Sequence, residues 1–180
     1  MVYLAVLRAV NVTATWVRMS DLRDLIAGLG FRNVRTILQS GNVVFESVQR
    51  RPAELESTLE GELLRQLRLP APVIVRRAAD VARIVSGNPF APEAERDPAH
   101  LVAVFLKNAP SPEAIRALGD AIVGCERIAV RGNTMYAVYP DGIGRSKLTA
   151  ALIDRKLQTK GTARNWNTIM KLADGCKGSA

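Results

Sequence analysis

The order in which extended and helical patterns alternate constrains this chain most, because a single unit of six elements accounts for residues 1–77 and then recurs. Val2 to Val10 is a short apolar run that reads as a buried central strand. Ser20 then opens a helix carrying Leu22, Leu25, Ile26 and Leu29 at helical spacing, with Ser20 as N-cap and Gly30 as the stop. Val34–Leu38 and Val43–Phe45 flank Ser40-Gly41-Asn42, which reads as a short hairpin turn. Pro52 suits the first turn of a helix with Leu55, Leu59, Leu63, Leu64 and Leu67, and Pro70 and Pro72 end it. Val73-Ile74-Val75 supplies a fourth strand. The order β-α-β-β-α-β is that of the split βαβ, or ferredoxin-like, unit.

The second half repeats this order. Leu101–Leu106 reads as a strand, Ser111-Pro112 opens a helix through Ile115 and Leu118, and Ile128–Val130 and Thr134–Tyr139 flank Arg131-Gly132-Asn133. Ser146 opens a further helix. A shift of 91 residues lays Ser20 on Ser111, Gly41-Asn42 on Gly132-Asn133 and Phe45 on Tyr136. The copy is imperfect at its end: Gly161–Asn165 is short and polar where a fourth strand belongs, and Trp166, Ile169, Met170 and Leu172 suggest a last helix. The expected architecture is therefore α+β, two tandem ferredoxin-like (βαββαβ) α/β plaits, the second with an altered C-terminal end. The expected boundaries are 1–77 for the first plait, 78–98 for a linker with a short helix, 99–175 for the second plait and 176–180 for a flexible tail. The linker holds three prolines and two cations against four acids.

Composition then narrows the function classes. The chain is 48% hydrophobic and 23% charged, which suits a packed core and a wetted surface and excludes disorder, collagen or coiled coil as whole-chain readings. Its net charge of +8 fits a partner bearing phosphates or other anions. Nineteen of the 25 cations are Arg, which GC-rich coding also produces, so charge alone carries modest weight. Cys125 and Cys176 are too few for a disulfide framework, and they fall at a strand edge and in the tail. This reads as a reduced, cytoplasmic protein. The N-terminal apolar run is cut by Arg8 and Asn11, so it is no signal peptide, and no segment approaches the ~18 apolar residues of a membrane span.

Three constellations carry candidate binding chemistry. In a plait the end of the first strand and the hairpin share an edge, so Arg8, Asn11, Gln39, Ser40 and Asn42 converge on a possible phosphate or carboxylate site. The alternative is a tight turn at Gly41-Asn42 with Asn11 capping a strand end. Gly142-Ile143-Gly144-Arg145-Ser146-Lys147 places glycines, a cap and two cations between a strand and a helix, though it lacks the spacing of a P-loop. Arg164, Asn165, Trp166 and Asn167 form a polar set around one Trp, with Thr162 as a helix cap. They end a basic stretch from 145 to 164 in which Asp154 alone opposes Arg145, Lys147, Arg155, Lys156, Lys160 and Arg164. Charge plus stacking there would suit a nucleotide or a single strand. Phe45, Tyr136 and Tyr139 do not make an RNA-recognition consensus.

Other chemistries have no anchor. His100 is the single histidine and reads as the start of a strand, so a His-based zinc site cannot be built and no metal is expected. There is no Gly-x-Ser-x-Gly elbow and no dinucleotide fingerprint, so no cofactor is expected. Cys125, beside Gly124, reads as buried rather than reactive.

Leu7-Arg8-Ala9-Val10-Asn11-Val12, Leu29-Gly30-Phe31 and Gln39-Ser40-Gly41-Asn42-Val43-Val44-Phe45 together resemble the bacterial family known as domain of unknown function 1697. Asn88-Pro89-Phe90, Tyr139-Pro140-Asp141-Gly142-Ile143-Gly144-Arg145-Ser146-Lys147-Leu148 and Thr162-Ala163-Arg164-Asn165-Trp166-Asn167-Thr168 extend the resemblance nearly to the C-terminus. It implies two α/β plaits and no established activity. The family pattern after the first strand is like Arg-Gly-Ile-Asn-Val-Gly-Gly, whereas this chain has Arg8-Ala9-Val10-Asn11-Val12-Thr13-Ala14. If those glycines let a backbone approach a ligand, this chain binds it differently or not at all.

The leading expectation is a non-catalytic or weakly catalytic binding protein for an anionic small molecule, such as a nucleotide or phosphorylated metabolite. Its site would be the Arg8/Asn11/Ser40/Asn42 edge, closed by Arg164 and Asn165. A nucleic-acid-binding module built on the 145–164 stretch and Trp166 is the second reading, and a metal-independent enzyme using Lys147 or Arg164 as electrophilic groups is the third.

Overall fold

The computed structural model describes residues 1–11, 16–48 and 51–177. The elements are β1 (Val2–Leu7), α1 (Met19–Gly28), β2 (Arg32–Thr36), β3 (Asn42–Glu46), α2 (Pro52–Leu67), β4 (Val73–Arg77), α3 (Ala78–Ser86), α4 (Ala91–Arg96), β5 (Leu101–Leu106), α5 (Pro112–Gly119), β6 (Arg127–Arg131), β7 (Thr134–Val138), α6 (Ala150–Leu157), β8 (Gly161–Asn165) and α7 (Trp166–Cys176). They form two compact units, Met1–Val85 with Lys171–Ala180, and Ser86–Met170. Each holds a four-stranded antiparallel sheet of ferredoxin-like order, β2-β3-β1-β4 and β6-β7-β5-β8, so the chain is two tandem α+β plaits. Among the described residues no helix is long and apolar enough to cross a membrane.

In the first unit, alternate residues of the strands face α1 and α2. Tyr3, Ala5 and Leu7, Val43 and Phe45, and Val73 and Val75 join Leu22, Ile26, Leu55, Leu59 and Leu63 in one core. The intervening residues Leu4, Val6, Val44 and Ile74 are buried too, which is why β1 reads as an unbroken apolar run rather than an alternation. The edge strand β4 is guarded by α2. Glu60 and Glu56, one helical turn apart, accept hydrogen bonds from the Val73 and Val75 amides, each at 2.9 Å.

In the second unit the helix-facing core is Val102, Val104, Leu106, Met135, Ala137 and Tyr139 against Leu118, Ile153 and Leu157. The other face carries Phe105 and Tyr136. Register places Arg164 opposite Ala103 and Thr162 opposite Phe105, so both belong to that second face. Edge strand β8 is guarded by Asp154, which accepts from the Gly161 amide at 3.1 Å.

Several local expectations need correction. Ser111 does cap α5, accepting from the Ala114 amide at 3.2 Å. Ser20 does not cap α1: the extended N-cap residue is Arg18, and the Ser20 hydroxyl bonds Asp21 instead. Ser146 does not open α6, because turns between β7 and the helix delay its start to Thr149, whose side chain accepts from the Leu152 amide. Thr162 is not a helix cap but lies within β8, a true fourth strand despite its polarity.

The two hairpins also differ. Gly132-Asn133 makes a two-residue turn between Arg131 and Thr134, but residues 37–41 form a longer loop in which Leu38 and Gly41 are both left-handed. A shift of 91 fails by one residue on β7: Phe45 faces the helices of its unit, and so does Ala137, whereas Tyr136 lies on the opposite face. One residue of slip flips a strand's faces. Both fourth strands run directly into a helix, α3 and α7.

Residues 78–98, the expected linker with a short helix, hold the two helices α3 and α4. Val81 and Ile84 bury one face of α3, and α4 is held by an ion pair between Glu93 and Arg127. Cys176 is not in a tail: it ends α7 and is buried, and Arg35 donates to the neighbouring Gly175 carbonyl at 3.0 Å. Residues 178–180 of the expected tail lie outside the described residues.

Candidate functional site

The end of β1 organises the first unit's candidate site. The Leu7 amide donates to the Gly41 carbonyl at 2.8 Å and the Arg8 amide to the Pro72 carbonyl at 3.0 Å, tying the strand end to the β2–β3 loop and to the approach of β4. Gly41 is required here. Its φ is +69°, and a Cβ would lie 3.0 Å from Leu7 Cβ and 3.3 Å from Val10 Cβ. The chain then leaves β1 through two left-handed residues, Ala9 at φ 55° and Asn11 at φ 58°.

Asn11 fastens this exit. Its Nδ2 donates to the Val17 carbonyl at 3.0 Å and the Gln39 carbonyl at 2.9 Å, while its Oδ1 accepts from the Val17 amide at 2.8 Å. Asn42 does the same for the loop, donating to the Ile37 carbonyl and to Ser40 Oγ, each at 2.9 Å, from a fully buried position. Asn11, Gln39, Ser40 and Asn42 thus lie together, but Asn11 spends its amide on the backbone, and the buried Asn42 spends its own on the Ile37 carbonyl and on Ser40.

Beside this bracket lies a cleft of about 780 Å³ within the first unit, lined by Asn11, Trp16, Val17, Arg18, Asp21, Gln39 and residues 67–70. Arg8, Ser40 and Asn42 are not among the lining residues. Arg18 and Arg68 are exposed and, among the described residues, have no ion-pair partner. Arg68 sits there because it is the left-handed C-cap of α2. Sequence reasoning missed Trp16, Arg18 and Arg68. Arg68 was legible in part, since a helix ending just before Leu69-Pro70 must place its last residues beside the strand that follows. Trp16 had no periodic context to mark it. Residues 12–15, which include Thr13 and Ala14 of the family glycine pattern, lie outside the described residues.

The second unit has its own cleft, of about 420 Å³, and it contains the expected Arg145, Ser146 and Lys147. Two carboxylates share it. Ser146 Oγ donates to Glu126 and accepts from the Leu148 amide, and Cys125 Sγ donates to Asp141 at 3.4 Å. Glu126 and Asp141 offset the two cations, which weakens the case for an anion here. Cys125 is exposed, not buried as expected, and Asp141 beside it raises its thiol pKa, so it is a poor nucleophile at neutral pH. Burial pushes Tyr139 up to about 12, and its hydroxyl donates to the Leu148 carbonyl at 3.2 Å.

The polar set around Trp166 proves to be internal. Trp166 is 5% exposed and packs on Tyr136, with ring centroids 6.4 Å apart, so it offers no stacking face. Asn165 caps α7 by accepting from the Thr168 amide at 3.0 Å, and Asn167 is exposed in the first turn of that helix. Arg164 donates to Thr162 Oγ1 at 2.9 Å and the Ala163 carbonyl at 2.8 Å, and burial of its guanidinium lowers its pKa to about 10. The basic stretch does not form one surface. Arg145 and Lys147 lie in a loop, Lys160 pairs with Asp154 at 3.6 Å, and Arg164 faces away from α6 across the sheet. His100 precedes β5, as expected, and its Nδ1 meets Asp97 at 2.6 Å. Among the described residues no group of three or more His, Cys, Asp or Glu is placed to hold a metal ion.

A search of curated proteins returned no match. Among solved structures, the chain is similar to the conserved bacterial protein SP0830 from Streptococcus pneumoniae, at 19% identity and a TM-score of 0.74, with 96% of this chain and 97% of that one covered. At that identity the likeness speaks for the fold alone. The family model described as protein of unknown function (DUF1697) matches residues 1–136, and with three quarters of its length so matched, this chain belongs to that family.

Proposed function

We propose that the protein binds an anionic small molecule in the cleft of its first unit. One observation carries this reading: Arg18 and Arg68 are two exposed guanidiniums at one cleft, without ion-pair partners among the described residues. Elsewhere Arg23, Arg65, Arg83, Arg116 and Arg127 each hold a carboxylate. A planar guanidinium with free donors is suited to phosphate or carboxylate oxygens. Asp21 is the one acid in the lining, and it already accepts from Ser20 Oγ at 3.2 Å. The exposed Gln39 side chain adds a neutral amide.

The test is thermal unfolding with ribose 5-phosphate or pyrophosphate as the probe. At 100 times Kd a ligand stabilises by roughly 2.7 kcal/mol, a readable shift. The Arg18→Ala/Arg68→Ala double variant folds normally, because both side chains are exposed, and should lose that shift. An undiminished shift in the double variant, or none in the wild type at any probe concentration, would overturn the reading.

A further inference from the structure

We infer that Trp16 is a stacking platform, and that the molecule taken by the first unit's cleft joins a planar heterocycle to its phosphate: a nucleoside phosphate. This rests on the anion reading above and adds the second half of the ligand.

The chain holds only four Phe, three Tyr and two Trp. Tyr3, Phe31, Phe45, Phe105, Tyr136, Tyr139 and Trp166 are all buried, and Phe90 is half-buried with the Arg127 guanidinium 5.3 Å from its ring centroid. Trp16 alone is exposed, at 77%, and it lines the cleft that carries Arg18 and Arg68. A large aromatic surface left in water is costly, and covering it with a second ring recovers that cost.

The platform is also held in place. Asn11 grips both the amide and the carbonyl of Val17, the residue after Trp16, and the same amide group grips the Gln39 carbonyl. One side chain therefore ties the backbone beside Trp16 to the backbone of Gln39, whose exposed side chain carries a primary amide able to pair with a ring's edge. Asn11 is a positioning residue in this arrangement. The guanidiniums of Arg18 and Arg68 are left for the phosphate.

The experiment compares AMP, ribose 5-phosphate and a short single-stranded oligonucleotide by intrinsic fluorescence, with Trp166, buried against Tyr136, as the internal reference. AMP should quench the exposed Trp16 component and bind on the order of tenfold tighter than ribose 5-phosphate, as one base stacked on an aromatic ring provides. Trp16→Ala should abolish the quenching and bring AMP down to the affinity of ribose 5-phosphate, leaving the latter unchanged, while Trp16→Phe keeps most of the difference. Equal affinities for AMP and ribose 5-phosphate, unmoved by Trp16→Ala, would overturn the stacking inference and leave the anion reading standing. Failure of both phosphates to bind would overturn both. A response confined to the oligonucleotide, weakening steeply with salt, would replace the small-molecule platform with a nucleic-acid surface.

Discussion

The two plaits share strand order and helix placement, yet they protect the same exposed edge with different means. In the first unit, α2 turns two glutamates onto β4, and Glu56 is itself buried, at 6% exposure, with Arg76 at 4% in the same strand. In the second, α6 offers Asp154, which accepts from the Gly161 amide and pairs with Lys160. An unpaired edge amide invites strand addition, so both units answer one need. Both commit a largely buried carboxylate to it, and the first adds the buried Arg76 within the strand itself. The clefts differ in charge as well: the lining of the first sets Arg18 and Arg68 beside the one carboxylate of Asp21, and that of the second sets Arg145 and Lys147 beside Glu126 and Asp141. A repeated topology has thus kept its backbone requirements while its charges diverged.

The largest expected effect sharpens that comparison. Glu56→Leu removes the acceptor of the Val75 amide and the carboxylate that partly compensates the charge of Arg76, whose pKa burial depresses. Breaking such a buried arrangement costs roughly 3–5 kcal/mol. Asp154→Ala should cost less, roughly 1.5–3 kcal/mol, the worth of a hydrogen bond to a charged group. Urea denaturation of both variants measures the difference, and equal losses would break the distinction between the two edges. Glu56→Gln, which keeps an acceptor but not the charge, should fall between them.

Alkaline pH separates the units on a second axis. Burial raises Cys176, in the first unit, from 9.0 to about 11, and Tyr139, in the second, from 10.0 to about 12. Each is an acid whose folded pKa lies above its unfolded value. Its contribution is therefore complete below the unfolded pKa and is lost as pH rises through the folded one. A displacement of that size is worth roughly 2.7 kcal/mol for each group. Arg164 runs the other way: lowered from 12.5 to about 10, it penalises the folded second unit below pH 10, and that penalty fades between the two values. The first unit should therefore weaken between pH 9 and 11, before the second. Melting curves across that range check the order: Cys176→Ala removes the first unit's loss, while in the second the fading Arg164 penalty offsets the ionisation of Tyr139, so that unit holds its stability. Simultaneous loss in the wild type, unmoved by Cys176→Ala, would contradict it.

The fold was largely legible because its carriers are local. Apolar runs marked β1 and β5, prolines and turn residues marked the breaks, and Ser111 stood where a cap must stand. Ser20 and Ser146 misled for one reason: a cap is defined by the extended backbone before the first turn, and here Arg18 and Thr149 have it. Facing was harder than order. The turn residues invite a 91-residue offset, but β3 and β7 align on their core faces one residue further along, so Tyr136 and Phe45 look equivalent in the sequence and lie on opposite faces. The site was legible only as a neighbourhood. Topology brought the β1 exit, Asn11 and Gln39 to one edge, but a turn asparagine that serves the backbone has the same letter as one that serves a ligand. Trp16 and Arg18, in a segment without periodicity, gave no pattern to read.

The smallest effect returns to the family glycine beside Arg8. Ala9 takes its place at φ 55°, a conformation that costs an L-residue roughly 1–2 kcal/mol and glycine nothing. Ala9 is exposed. Ala9→Gly should stabilise the protein by about 1 kcal/mol once the greater flexibility of unfolded glycine is subtracted. The second unit supplies the control. Lys107 follows β5 as Arg8 follows β1, each donating its amide to the chain entering the fourth strand, so Asn108 stands where Ala9 does. Asn108 is not left-handed, and its amide donates to Thr159 Oγ1 at 3.0 Å. Asn108→Gly should therefore cost roughly 0.5–1 kcal/mol. Opposite signs at these matched positions, read from denaturation midpoints at constant slope, would show that the two strand exits diverged in backbone conformation. A loss in both would mean that the bracket around Asn11 depends on the Ala9 side chain instead.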